Sequence, residues 1–100
     1  MFYLYILYSV SSDRYYLGYT DCIERRLSKH NFSKRLTYTS KHRPWILKKS
    51  IELTSNRGLA MKIEIAVKKL KSRRILEKII SDINTVEELT QQVRVPICRD

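Results

Sequence analysis

Cysteine, acidic residues and long apolar runs are scarce in this chain. The two cysteines, Cys22 and Cys98, stand far apart with no CxxC partner, which argues against a zinc site and gives no basis for a disulfide. Asp and Glu number only 10 against 20 Lys and Arg, so an acidic or neutral surface is excluded. The longest apolar stretch, Phe2 to Val10, is broken by Tyr and Ser and is too short to span a bilayer. No basic segment precedes it and no small-residue cleavage site follows, so it does not read as a secretory signal. The expectation is a cytoplasmic protein with no membrane partner. No repeat, low-complexity tract or linker divides the sequence.

What is present suffices for one core. The chain has 100 residues, 43% of them hydrophobic and seven of them Tyr. Size scaling lets roughly two-thirds of the extended chain's surface be buried, which argues against a disordered tail. The net charge of +10 points to nucleic acid first and an anionic membrane surface second. It is unevenly placed. Residues 1–81 carry 18 basic and 6 acidic side chains, whereas residues 82–100 carry 2 and 4. Polyanion binding is therefore expected from a domain over 1–81, with 82–100 as an extension bearing a short helix and a frayed end.

Residues 2–9 are aromatic and branched without a breaker, and read as a strand. A polar turn at Ser11–Arg14 leads to a second strand over 15–20, so the two form an antiparallel hairpin. Period two places Tyr3, Tyr5, Leu7 and Ser9 on one face. Gly18 marks a bulge or a close approach by backbone or ligand. Asp21 is the expected N-cap of a helix ending near Asn31, with Glu24 completing the cap. Ile23 and Leu27 make its apolar stripe, and Arg26 and His30 lie four apart on a neighbouring face. A basic, hydroxyl-rich loop over 32–44 precedes a third strand at 45–54. Asn56 or Ser55 caps a helix over 57–70, Ser72 restarts a second, and Thr85 with Glu88 opens a last one to about Gln92.

The ordered segments Tyr3-Leu4-Tyr5, Tyr16-Leu17-Gly18, Asp21 to Leu27 with His30, Arg43-Pro44-Trp45, Leu59 to Glu64 and Lys68 to Arg74 resemble the GIY-YIG nuclease family. The likeness is strongest to its small single-domain bacterial members and covers about residues 2–81. Tyr3 stands where the name motif has Gly, and Leu4 and Leu17 stand where it has Ile; none of these removes a reactive group. The resemblance implies an α+β fold: a small three-stranded, mainly antiparallel sheet flanked by helices, in the order β-β-α-β-α-α. It also implies an endonuclease that hydrolyses nucleic-acid phosphodiesters, DNA ahead of RNA, using Mg²⁺ or Mn²⁺ and no small-molecule substrate. A non-catalytic nucleic-acid-binding module that keeps the fold is the alternative. Oligomeric state is left open.

By the same resemblance Tyr5, Tyr16, Arg26, His30 and Glu64 are the catalytic set, with Glu64 the metal ligand. One carboxylate suits Mg²⁺, which retains most of its waters; the plain reading of Glu64 is an ion pair with Lys68 at i+4. A free phenol is a poor base at neutral pH. Either nearby charge lowers a Tyr pKa, or metal-bound water reacts and Tyr only positions it. Arg26 offers a planar fork that matches phosphate oxygens. His30 either shares the phosphate, moves a proton, or merely caps the helix. Arg25, Lys29, Lys34, Arg35, Lys41, Arg43, Lys68, Lys71 and Arg73 are expected to meet the nucleic-acid backbone. Tyr38 and His42 are candidates to stack on unpaired bases, and Trp45 reads as core.

Overall fold

The structure, a computed structural model, describes residues 1–34, 39–70 and 72–93. The expectations for Arg35, Tyr38, Lys71, Cys98 and the chain's end lie outside these residues. Strands β1 (Phe2–Ser9), β2 (Arg14–Thr20) and β3 (Trp45–Thr54) form one antiparallel sheet in the order β2-β1-β3. Helix α1 (Ile23–Phe32) follows β2, and a 3-10 turn at Thr39–His42 precedes β3. Helices α2 (Arg57–Lys69), α3 (Arg73–Asp82) and α4 (Val86–Val93) complete the chain. The expected α+β class and the order β-β-α-β-α-α are present, with α4 added. Among the described residues no helix is long and apolar enough to cross a membrane.

The sheet is covered on both faces, which explains why β1 reads as an unbroken apolar run. Leu4 and Ile6 pack with Leu17, Ile51 and Leu53 against Ala60, Ile63 and Val67 of α2, Ile79 of α3 and Leu89 of α4. Tyr5, Leu7 and Trp45 form a smaller cluster on the opposite face with Tyr16 and with Leu27 of α1. Four successive β1 side chains, Leu4 to Leu7, are thus buried. An alternating pattern would have left one face wet. Ile83 and Leu89, beyond residue 81, are buried in the larger cluster.

Helix starts follow the sequence signals with one exception. The Asn56 side chain accepts from Leu59 N at 2.9 Å, and Ser72 Oγ accepts from Ile75 N at 3.3 Å. Thr85 Oγ1 accepts from Glu88 N at 3.2 Å, while the Glu88 carboxylate reaches back to Asn84 N at 2.8 Å. The N-cap of α1 is Cys22 rather than Asp21, and it makes no side-chain cap bond. Asp21 instead pairs with Arg25 at 2.7 Å. Thr20 Oγ1 takes up the Cys22 N–H at 3.2 Å, so the turn into α1 is closed from the strand side.

A clamp ties the β1–β2 turn to α3. Asp13 sits in the left-handed region with φ 53°, a conformation Asp tolerates better than most residues. Its carboxylate accepts from Tyr8 Oη at 2.6 Å and from Arg73 Nη2 at 2.7 Å. Arg73 also bonds Glu77 at 3.1 Å and lies 5.0 Å from the Tyr15 ring centre. Because α4 closes the larger core cluster, Leu89→Ala is expected to cost about 2–5 kcal/mol. Urea unfolding should show a lower midpoint with an unchanged m-value.

Candidate functional site

The antiparallel register sets Tyr5 opposite Gly18 and Leu7 opposite Tyr16. The Tyr5 ring lies across Gly18. A Cβ there would stand 2.5 Å from the Tyr5 hydroxyl and 2.7 Å from its Cζ. Of the two roles open to Gly18, close approach is the one found, and the visitor is a side chain from the neighbouring strand. Along that path the Tyr5 hydroxyl reaches His30 Nε2 at 3.1 Å. The Tyr16 ring meets His30 edge-on at 4.8 Å and Trp45 at 6.0 Å.

His30 is held there by the end of its helix. Asn31 brackets the first residue of β3: its Oδ1 accepts from Trp45 N at 2.7 Å and its Nδ2 donates to Trp45 O at 3.0 Å. Arg43 donates from Nε to His30 O and from Nη2 to Ser33 O, both at 2.6 Å. These bonds answer carbonyls that a helix C-terminus leaves open. His30 is therefore a buried ring facing the sheet, and Arg43, not His30, caps the helix.

Burial and charge together keep the pair neutral. Burial chiefly, then the cations Arg26 and Arg43, lower the His30 pKa from 6.5 to about 4. Burial chiefly, then Tyr16, push the Tyr5 phenol well above its usual range; Glu64 adds to this and Arg26 opposes it. Tyr5 thus keeps its proton at neutral pH. The same influences show that Arg26 of α1 and Glu64 of α2 both stand within electrostatic reach of Tyr5. Glu64 is largely covered, with 14% of its side chain exposed, and pairs with Lys68 at 3.4 Å. Lys68 Nζ in turn lies 5.8 Å from the Tyr16 ring centre. Four elements therefore bring Tyr5, Tyr16, Arg26, His30 and Glu64 together.

The outlying basic residues divide. Arg25, Lys29, Lys34 and Lys41 are exposed. Arg43 caps α1 and Arg73 forms the clamp on Asp13, so both guanidinium groups are engaged by the fold. His42 Nδ1 bonds Ser12 Oγ at 2.8 Å and its ring stands 6.4 Å from Trp45. It is half-buried against Ser12 and Trp45. A groove of about 490 Å³ runs beside Tyr16 and Lys68, bounded by Arg14, Val67, Ser72 and Leu76. Sequence pattern marks Asn31 only as a helix end. Its side-chain destination depends on where β3 starts, which local pattern does not reveal.

Gly18→Ala is expected to displace the Tyr5 ring, break its bond to His30 and cost about 1–3 kcal/mol by overpacking. Thermal unfolding and the His30 imidazole shifts would read both effects. The His30 pKa also has a stability sign. Between pH 6.5 and about 4 the unfolded chain binds a proton at this residue and the folded chain does not. Stability should be full above pH 6.5 and fall as the pH drops toward 4. His30→Gln should flatten that segment of a stability–pH curve.

The GIY-YIG catalytic domain family matches residues 1–78. The solution NMR structure of the UPF0213 protein BH0048 from Bacillus halodurans is 32% identical. The match covers 96% of this chain and 100% of that one, with a TM-score of 0.49. No curated protein matches. The family match includes every residue of the Tyr5–His30–Glu64 cluster, and the chain belongs to the GIY-YIG catalytic domain family, a family of nucleases.

Proposed function

We propose that the protein is a divalent-metal-dependent endonuclease that hydrolyses nucleic-acid phosphodiesters, DNA ahead of RNA. The observation that carries this reading is the convergence on Tyr5 of a hydrogen-bonded imidazole and a guanidinium from α1 and a carboxylate from α2. Such a set offers donors for phosphate oxygens on one side and a hard oxygen ligand on the other.

The donor set fits Mg²⁺ or Mn²⁺. Among the described residues no three His, Cys, Asp or Glu side chains come together, and Glu64 is the carboxylate that bears on Tyr5. A shell completed by water and a substrate phosphate is the arrangement Mg²⁺ favours. Lys68, half exposed, can swing away from Glu64 when a cation arrives. When bound, the metal would supply charge stabilisation and a more acidic water.

In hydrolysis, water oxygen bonds to phosphorus as the bond to the sugar oxygen breaks; the water gives up a proton and the sugar oxygen gains one. Arg26 would grip two non-bridging oxygens, where negative charge grows. In the tautomer whose Nε2–H donates to the Tyr5 oxygen, the Tyr5 proton would be left to donate to an oxygen of the phosphate or water. Neutral His30 fixes the direction of that phenol. Tyr16, on the open edge strand beside the groove, would orient the attacking water.

The Glu64–Lys68 pair is also what a binding module without cleavage would show. Metal titration separates the two readings. Wild type is expected to cleave one or more of branched, nicked and plain DNA and RNA only with Mg²⁺ or Mn²⁺. Glu64→Ala should lose at least about 100-fold in rate, since metal stabilisation is worth several kcal/mol. Equal traces from the two proteins on every substrate would reject the enzymatic reading and leave binding.

A further inference from the structure

Two hollows flank the cluster along the open edge of β2. The groove beside Tyr16 lies at one end. At the other is a pocket of about 210 Å³ lined by Phe2, Tyr19, Thr20 and Asp21 together with Arg25, Arg26, Lys29 and Arg57. Arg57 opens α2 and was not singled out by any sequence motif. The pocket therefore gathers four cations against one carboxylate, from α1 and from the start of α2.

Two of the four cations are held in place. Arg57 lies 4.9 Å from the centre of the Phe2 ring, and Phe2 is itself set edge-on to Tyr19 at 6.0 Å. Arg25 is fixed by Asp21 at 2.7 Å. Among the described residues Arg26, Lys29 and Arg57 form no ion pair. Clustered cations repel one another, and this arrangement gains most when an anion enters. Arg26 belongs to both places: it lines this pocket and its charge is felt at Tyr5 and His30. An anion in the pocket is therefore a neighbour of whatever Arg26 grips at the cluster.

We infer that this pocket is a second phosphate subsite, formed by Arg57, Lys29 and Arg25, which holds the backbone phosphate next to the scissile one and directs the substrate strand along the edge of β2. The inference rests on the nuclease reading above and adds to it a subsite and a strand path. It makes two consecutive phosphates the least that the protein engages fully. An isolated phosphodiester would occupy Arg26 and leave Lys29 and Arg57 unanswered.

Binding of a labelled duplex of about 20 base pairs, measured in EDTA at several salt concentrations, tests this without requiring cleavage. Arg57→Ala and Lys29→Ala should each lower the slope of log affinity against log salt by about 0.9 and weaken binding five- to tenfold at about 0.1 M salt. Lys48→Ala, on β3 at the opposite edge of the sheet, should leave slope and affinity close to wild type. Circular dichroism would check that each variant is folded, and Arg57→Lys should restore most of the slope. A slope for Arg57→Ala equal to that of wild type or of Lys48→Ala, with wild type binding normally, would overturn the subsite and leave the nuclease reading intact. Absence of binding by wild type would instead reject the nucleic-acid reading, and the subsite with it.

Discussion

The site depends on one missing methyl group. Tyr5 lies on the central strand, where a phenol would ordinarily be shut in between neighbours. Because Gly18 faces it across the β1–β2 ladder, the ring passes over the adjacent strand and its hydroxyl emerges at His30. Any side chain at Gly18 would occupy the space that the hydroxyl now holds. The contact of Tyr5 with His30 follows from that clearance.

The two-sided sheet makes this possible without loss of core. The helices α2, α3 and α4 bury one face of β1, leaving the face toward α1 to a small cluster containing Tyr5, Leu7 and Trp45. That cluster is where polar atoms are admitted, and each is partnered. Among the described residues no buried side-chain nitrogen or oxygen lacks a hydrogen bond. Asn31 and Arg43 fasten the end of α1 to the start of β3, so the imidazole is fixed by backbone bonds on its own and adjoining residues. The result is a neutral, oriented phenol–imidazole pair flanked by a cation and an anion.

Much of the fold was legible in the sequence because its signals are local. The strand runs at 2–9 and 45–54, the caps at Asn56, Ser72 and Thr85, and the apolar stripe of α2 each depend on residues a few positions apart. The five residues singled out from the family resemblance also come together. The destinations of long charged side chains were not legible. Arg43 and Arg73 looked like their basic neighbours, yet one answers helix carbonyls and the other clamps Asp13, 60 positions away. Such partners are created by tertiary contact, and an Arg run looks the same whether its members face water, phosphate or a carbonyl. Asp21 departs for the opposite reason: a local cap was available, but its carboxylate pairs with Arg25 and the N-cap falls one residue later, at Cys22. His30 was placed on the correct helix face, while its burial awaited the position of β3.

The packing of Trp45 gives the protein an optical property. It is the chain's one tryptophan, 2% exposed, and it touches Tyr16 on one hand and His42 on the other. An indole so enclosed is shielded from water, the condition under which its emission lies at short wavelength. The wall of the candidate site and the start of β3 therefore share a single native fluorophore, through which displacement of Tyr16 is visible without a label.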